Sequence, residues 1–419
     1  MSVSVVVWGD SFGISDGIEA LRGEVTVARQ CDELVETLAL VESGLADAAL
    51  LAGPATDVDA AVVDGLRERG AAVVALVDDA EERGRLSGYG AVCESVTASP
   101  QALADLLELV TATAPQANPI GPRSAPEAEP ATAPGRGQVI AVWGPHGSPG
   151  RTTVAVNYAV EASLAGSRVA LVDADTYGAS VAVLLGLMEE SAGVAQLCRL
   201  SDQGVLDSES WQRACPVLTV AGARLRVATG LPRPTRWPEL RPASVGRVLE
   251  HLTAAVDLVV VDVAPYLDVD EDLSFDTTAP QRNAATLAVL ERADEILAVG
   301  QADSVGVPRL IKALERLAET VPDAMPRVVF NKVARAGLGA NPERQLRETW
   351  TRFGPGAPIR GYLPWDPGSA AEALLSGTVF AESCPDAPLR AGIAQLAGHD
   401  VLPRKGLFGR RRAADGAGS

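Results

Sequence analysis

Lysine is nearly absent from this chain. Only three of its 36 basic residues are Lys (Lys312, Lys332 and Lys405), so contacts to anions that lysine often makes fall here to arginine. Cysteine is sparse too. Cys31, Cys93, Cys198, Cys215 and Cys384 are scattered with no C-x-x-C spacing, which excludes a disulfide scaffold, a zinc ribbon and an iron–sulfur protein and fits a reducing cytoplasm. No apolar run approaches the roughly 18 residues that span a bilayer. The opening MSVSVVVWGD lacks a basic stretch followed by an apolar one, so no secretory signal is expected and a cytoplasmic location is. No repeat of fixed period occurs. What is present is 47% hydrophobic against 21% charged residues, enough to build packed cores. With 419 residues, two or three domains are expected.

The net charge of -18 is unevenly spread. Residues 1–110 carry 20 acidic side chains against six Arg, whereas the other 309 residues are close to balanced. An acidic face repels nucleic acid and lipid phosphate, so a protein partner suits the N-terminal part and nucleic acid does not. Residues 114–137, APQANPIGPRSAPEAEPATAPGRG, hold six Pro and six Ala without apolar periodicity and read as a semi-rigid linker. The expected organisation is a domain over 1–113, this linker, a domain over 138–403 and a basic flexible tail over 404–419.

Both domains read as α/β. Before the linker, VSVVVWG (3–9), EVTVARQ (24–30), ADAALLAG (46–53), AAVVALV (71–77) and AVCESVT (91–97) alternate with helical patterns over 31–44, 58–70 and 99–113. Ser99 caps the last helix and Pro100 opens it. Five strands alternating with helices predict a doubly wound parallel sheet. The length and alternation resemble a response-regulator receiver. Phosphoryl chemistry in that fold needs an acceptor carboxylate after the third strand, where this chain has Ala52, and a Lys after the fifth, where it has none. Asp10 alone remains of the acidic pair after the first strand. The resemblance is therefore to a pseudo-receiver, which docks a partner or dimerises.

After the linker, strands are predicted at 138–144, 167–175, 225–230, 257–264, 295–301 and 327–333, with helices over 152–166 and 304–321 among the segments between. The first strand runs into GPHGSPGRTT, then a helix. This order suits phosphate: glycines admit backbone N–H groups to the oxygens, the helix N-terminus adds positive dipole, a cation meets the terminal phosphates and a hydroxyl binds magnesium. Gly147, Ser148 and Gly150 form the loop, Arg151 is the candidate cation and Thr152 the candidate magnesium ligand. The strict G-x-x-x-x-G-K-[ST] pattern is departed from twice, by Pro145 and by Arg151. Read without further support, the stretch is equally a tight strand-to-helix turn. Asp173 and Asp175 end the second strand, where open α/β sheets bind ligands. Asp262 lies in DLVVVDVAP, where a buried carboxylate needs a cation or a hydrated magnesium. Asp257, which opens that strand, is expected on the surface.

Taken in order, the loop, the VDAD segment, DLVVVDVAP, VVFNKV and GYLPWDPGSAAEALLSGTVF resemble the deviant Walker A ATPases of the ParA/MinD superfamily over about 138–400. Leu363, Pro364, Asp366, Ala373 and Gly377 match in the last segment. A pseudo-receiver and Pro-rich linker ahead of such a domain resemble the CpaE/TadZ-like pilus-assembly subgroup, whose actinobacterial relatives are described as septum-site-determining proteins. The resemblance implies ATP and Mg2+ as ligands. Thr152 and Thr153 would serve magnesium and phosphate, Asp175 would orient the attacking water, and Arg151 would stand beside it in catalysis. Asp262 would hold hydrated magnesium and Asn331 would contact the base. For Asp173 a structural hydrogen bond and a metal role are both open, and for Asn331 a strand-end turn is the alternative.

The family's signature Lys, which reaches across a nucleotide-sandwich dimer, aligns with His146. Neutral imidazole is a poor substitute for fixed charge, and arginine's planar head is not lysine's. Nucleotide binding is thus expected to survive better than hydrolysis. The function implied is a slow ATPase and spatial organiser acting as a homodimer. The alternatives are a non-hydrolysing scaffold and a DNA-partitioning ATPase. The tail segment RKGLFGRRR, 404–412, suggests peripheral membrane contact or a solvated end.

Overall fold

The computed structural model describes residues 3–9, 13–113, 136–187, 191–268 and 281–399. Asp10, the linker up to residue 135 and the basic tail lie outside the described residues. The chain divides into two compact units: Met1–Ala133 with Gln196–Arg213, and Pro134–Ala195 with Ala214–Ser419.

In the first unit, five short apolar strands are buried by helices on both faces. They are β1 (Val3–Trp8), β2 (Val25–Cys31), β3 (Ala48–Leu51), β4 (Ala72–Leu76) and β5 (Val92–Glu94). All pairs are parallel, in the order β2-β1-β3-β4-β5. This is a doubly wound order whose ligand crevice lies between the carboxyl ends of β1 and β3. The helices are α1 (Ile14–Ala20), α2 (Leu34–Glu42), α3 (Ala60–Glu68), α4 (Ala80–Gly88) and α5 (Pro100–Thr113). Local chemistry starts several of them. Asp59 accepts from the Val62 N–H at 3.0 Å, Asp79 from those of Glu81 and Glu82, and Ser99 from that of Ala102 at 3.3 Å. Two apolar clusters form, one on each face of the sheet, around Val6, Val63 and Leu66 and around Val5, Ile18 and Leu107.

The chain after β1 and the chain after β3 pass close together. A Cβ on Gly9 would stand 2.6 Å from the Gly53 Cα, and one on Gly53 would stand 2.7 Å from the Trp8 indole. Trp8 donates its ring N–H to the Asp32 carbonyl at 3.2 Å, which fixes the ring there. Ala52, directly after β3, is buried.

The second unit is built on eight strands: β6 (Gln138–Trp143), β7 (Val169–Ala174), β8 (Val217–Val220), β9 (Ala223–Ala228), β10 (Leu258–Val263), β11 (Glu295–Gln301), β12 (Pro326–Val333) and β13 (Ile359–Pro364). Their order is β13-β12-β11-β6-β10-β7-β9-β8, parallel throughout except for the antiparallel β8–β9 hairpin. Six of the eight follow the sequence reading; β8 and β13 were not expected. Both are edge strands. β8 is largely exposed, and β13 carries Gly361 and ends on Pro364, so neither shows a continuous apolar run.

The helix α6 (Arg151–Leu164) is buried on nearly every side from Val154 to Ala162, which explains its run of Val and Ala. It packs on β7 and β9 and is covered by the helix Pro388–Leu396. Because β6, β7, β10, β11 and β12 are parallel, their carboxyl ends bring five separate sequence segments to one edge of the sheet.

Candidate nucleotide site

The loop 144–150 joins β6 to α6 at that edge. Its path requires glycine at two places: Gly147 has φ 106° and Gly150, the N-cap of α6, has φ 98°. A Cβ at Gly150 would stand 2.5 Å from the Asn331 side-chain nitrogen, so the residue is needed for closeness as well as for backbone freedom. Ser148 is held in the same left-handed region, at φ 55°, without glycine's tolerance. The hold comes from β12. Lys332 donates from Nζ to the Ser148 carbonyl at 2.8 Å, and Asn331 donates from Nδ2 to the Pro149 carbonyl at 2.7 Å. The Asn331 side-chain oxygen accepts from the Lys332 N–H at 2.8 Å. Both ends of the Asn331 amide are therefore spent on backbone, and in this structure the residue clamps the loop. Lys332 itself has φ 59° and also reaches Gln301 Oε1 at 3.3 Å.

Arg151 opens α6 with its side chain folded back under the loop. One guanidinium nitrogen donates to the carbonyls of Gly144 and Pro145, at 3.3 and 3.2 Å, and the other to Asp175 Oδ2 at 3.3 Å. The pair is largely desolvated, with side-chain exposures of 13% and 6%. The Arg151 Nε is buried without a partner among the described residues. Asp175 turns its other oxygen to the N–H groups of Tyr177 and Gly178, both at 2.9 Å. Asp173 accepts three backbone N–H groups, from Asp175, Ser180 and Val181. Its geometry is that of a turn-holding residue, and burial pushes its carboxyl up to about 7 against those donors.

Thr152 donates to Asp262 Oδ2 at 2.6 Å. Asp262 is fully buried, and its Oδ1 has no hydrogen-bond partner among the described residues. Burial holds this carboxyl well above its ordinary range, and Asp173 adds to the effect. A hydroxyl and a half-satisfied carboxylate thus meet at the mouth of a glycine turn. That is an oxygen donor set for a hard divalent cation, and the glycine turn is a cradle that Cβ atoms would fill. The residues present fit a magnesium nucleotide. Thr153 lines a neighbouring cavity of about 170 Å3 with Asn157, Leu184 and Thr378. His146 is exposed and Pro145 buried. Asp257 is on the surface, as expected, but is paired there with Arg168.

Of the residues singled out from the sequence, the structure brings Arg151 to Asp175 and Thr152 to Asp262. It missed Lys332 and Gln301. A lone Lys in a chain with only three was the available signal.

A parallel sheet with a glycine turn between strand and helix, and with aspartates at the ends of neighbouring strands, defines a phosphate-loop nucleotide-binding fold. The chain belongs to the family of CobQ/CobB/MinD/ParA nucleotide binding domains, whose family model matches residues 140–377. Among curated relatives, an iron–sulfur cluster carrier protein of Aquifex aeolicus is 46% identical over 67 residues, 16% of this chain; the chain spans only 18% of that relative's length. An uncharacterized ATP-binding protein of Methanocaldococcus jannaschii is 22% identical over 293 residues, covering 65% of this chain and 97% of that one. The solved structure of a ParA family ATPase from Chlorobium tepidum superposes with a TM-score of 0.50 at 19% identity, over 63% of this chain and 98% of that one, a likeness of fold.

Proposed function

We propose that this chain binds ATP with Mg2+ at the loop 144–153 and acts as a spatial organiser of the MinD/ParA type, of the CpaE/TadZ-like kind. It would place pilus or secretion machinery, or mark a division site, as a nucleotide-dependent homodimer. The observation that carries the reading is the Thr152–Asp262 pair with its orphaned Oδ1 at the loop mouth. Gly147, Ser148, Gly150, Thr152 and Thr153 would hold the phosphates, and Thr152 and Asp262 the hydrated cation. Magnesium would neutralise phosphate charge there. Asp175 would orient water once Arg151 turns from it toward phosphate, and Asn331 would keep the loop in register beneath the base. The 1–113 domain serves as a pseudo-receiver that docks a protein partner, since Ala52 follows β3 where a phosphoryl acceptor would have to be a carboxylate. The linker 114–137 tethers it, and the tail 404–419 would supply any membrane contact. Among the described residues no helix is long and apolar enough to cross a membrane.

A second reading, a scaffold that binds nucleotide without hydrolysing it, is favoured by Arg151, whose polar contacts all run to loop carbonyls and Asp175. One experiment addresses both. ATP is titrated with and without Mg2+, and phosphate release is measured, for wild type, Asp262→Asn and Asp175→Ala. The organiser reading expects Mg2+-dependent binding that Asp262→Asn weakens by about 10-fold or more, and turnover that Asp175→Ala abolishes. Binding with equal background release in all three supports the scaffold. No Mg2+-dependent affinity in wild type removes the nucleotide reading.

A further inference from the structure

The loop 144–150 contains no lysine, and two of the cations around it are already committed. Arg151 is bonded to Gly144, Pro145 and Asp175, and Lys332 to Ser148 and Gln301. A third cation stands on the loop's exposed side. The helix Gly306–Thr320 follows β11, and its start is fixed by Asp303, which accepts from the N–H groups of Val305 and Gly306. Gly306 has no alternative, since a Cβ there would stand 2.2 Å from the Gln301 carbonyl oxygen. So anchored, the helix carries exposed Arg309 to Gly147, where a Cβ would lie 2.7 Å from a guanidinium nitrogen. Arg309, His146, Gly147 and Asp303 line one cavity of about 130 Å3. The Asp303 oxygens face Gln301 and backbone N–H groups, and no ion pair or side-chain hydrogen bond engages Arg309 among the described residues.

We infer that Arg309 is the residue that binds the terminal phosphate of a nucleoside triphosphate held by this loop, and so makes the site prefer triphosphate over diphosphate. The inference rests on the nucleotide reading above and deepens it. An unpaired guanidinium presents a planar fork that matches phosphate oxygens two at a time. It sits on the His146–Gly147 side of the loop, where the sequence offers no lysine. The cavity leaves room for phosphate oxygens between the loop and the helix. Gly147 is needed for its φ of 106°, and a Cβ there would push the tip of the Arg309 side chain away from the loop.

The test uses the full chain with Mg2+, measuring affinities for ATP and ADP by calorimetry in wild type, Arg309→Ala, Arg309→Lys and Lys312→Ala. Lys312, exposed on the same helix, controls for general charge. Arg309→Ala is expected to weaken ATP by about 10-fold, leave ADP within about twofold, and keep the wild-type melting temperature. Arg309→Lys falls between, and Lys312→Ala changes neither affinity. Equal losses for ATP and ADP, or none for either, overturn the assignment while the nucleotide reading stands. A wild-type chain that binds neither nucleotide overturns both.

Discussion

Arg151 shows how one side chain changes the standing of a site. With lysine at that position, a single ammonium would approach the phosphates as a point charge. The guanidinium instead bridges two loop carbonyls and Asp175 across a largely dry gap, so phosphate binding has to exchange existing bonds for new ones. Asp173 stands in a different balance. Burial raises it to about 7, while its unfolded value is 3.8. Between those values the folded chain keeps a proton that the unfolded chain has released, so stability is fully present below 3.8 and is lost as pH rises through about 7. Asp173→Asn cannot titrate. Urea midpoints measured from pH 4.5 to 8 should therefore fall for wild type relative to this variant as pH rises; a constant difference would count against the shift. The residues legible in the sequence were those whose roles lie in local order, such as Thr152 after Gly150. Arg309 and Lys332 were not, because each meets the loop from more than 150 positions away, and only the sheet's strand order brings them there.

At the level of elements, the strands were legible where burial on both faces demanded unbroken apolar runs, as in VIAVW and LVVVDV. The edge strands β8 and β13 were not, since half-exposed strands look like loops. The helix α6 was legible too, but not what closes over it. Glu161, on its last turns, is 1% exposed and receives Arg390 Nε at 2.7 Å and His399 Nδ1 at 2.6 Å. These contacts tie the helix Pro388–Leu396 and the residues after it to the same helix that begins at the phosphate loop. A buried carboxylate that pairs with a guanidinium cannot be neutralised without leaving that charge unmatched. Glu161→Gln is expected to lose about 3 kcal/mol in urea unfolding, with most of the loss recovered by Arg390→Met in the same chain, which removes one stranded charge. Equal, additive losses in the two single variants would show that the cluster is not a unit.

For the molecule as a whole, charge was the most legible property and the one that limits its partners. The acidic surplus lies in residues 1–110, and the remainder is near neutral, although Arg224, Arg226, Arg233, Arg236 and Arg241 gather in one stretch of sequence. Arg236 is paired with Glu239, and Arg226 donates to the Cys215 carbonyl, so part of that stretch is occupied. Non-specific DNA binding depends on many unpaired cations and falls steeply with salt. Fluorescence anisotropy with a short labelled duplex should show no retention at about 150 mM salt, with or without ATP. Strong, salt-sensitive retention would instead support a DNA-partitioning role.

The apolar setting of Ala52 bears on how the first unit can ever be repurposed. Ala52 packs with Val5, Val7 and Leu50 on the face of the sheet away from Trp8, so an acid there would set a carboxylate among aliphatic side chains. Retrofitting that unit into a phosphorelay would mean carving a wet pocket into an aliphatic layer, not merely restoring one side chain.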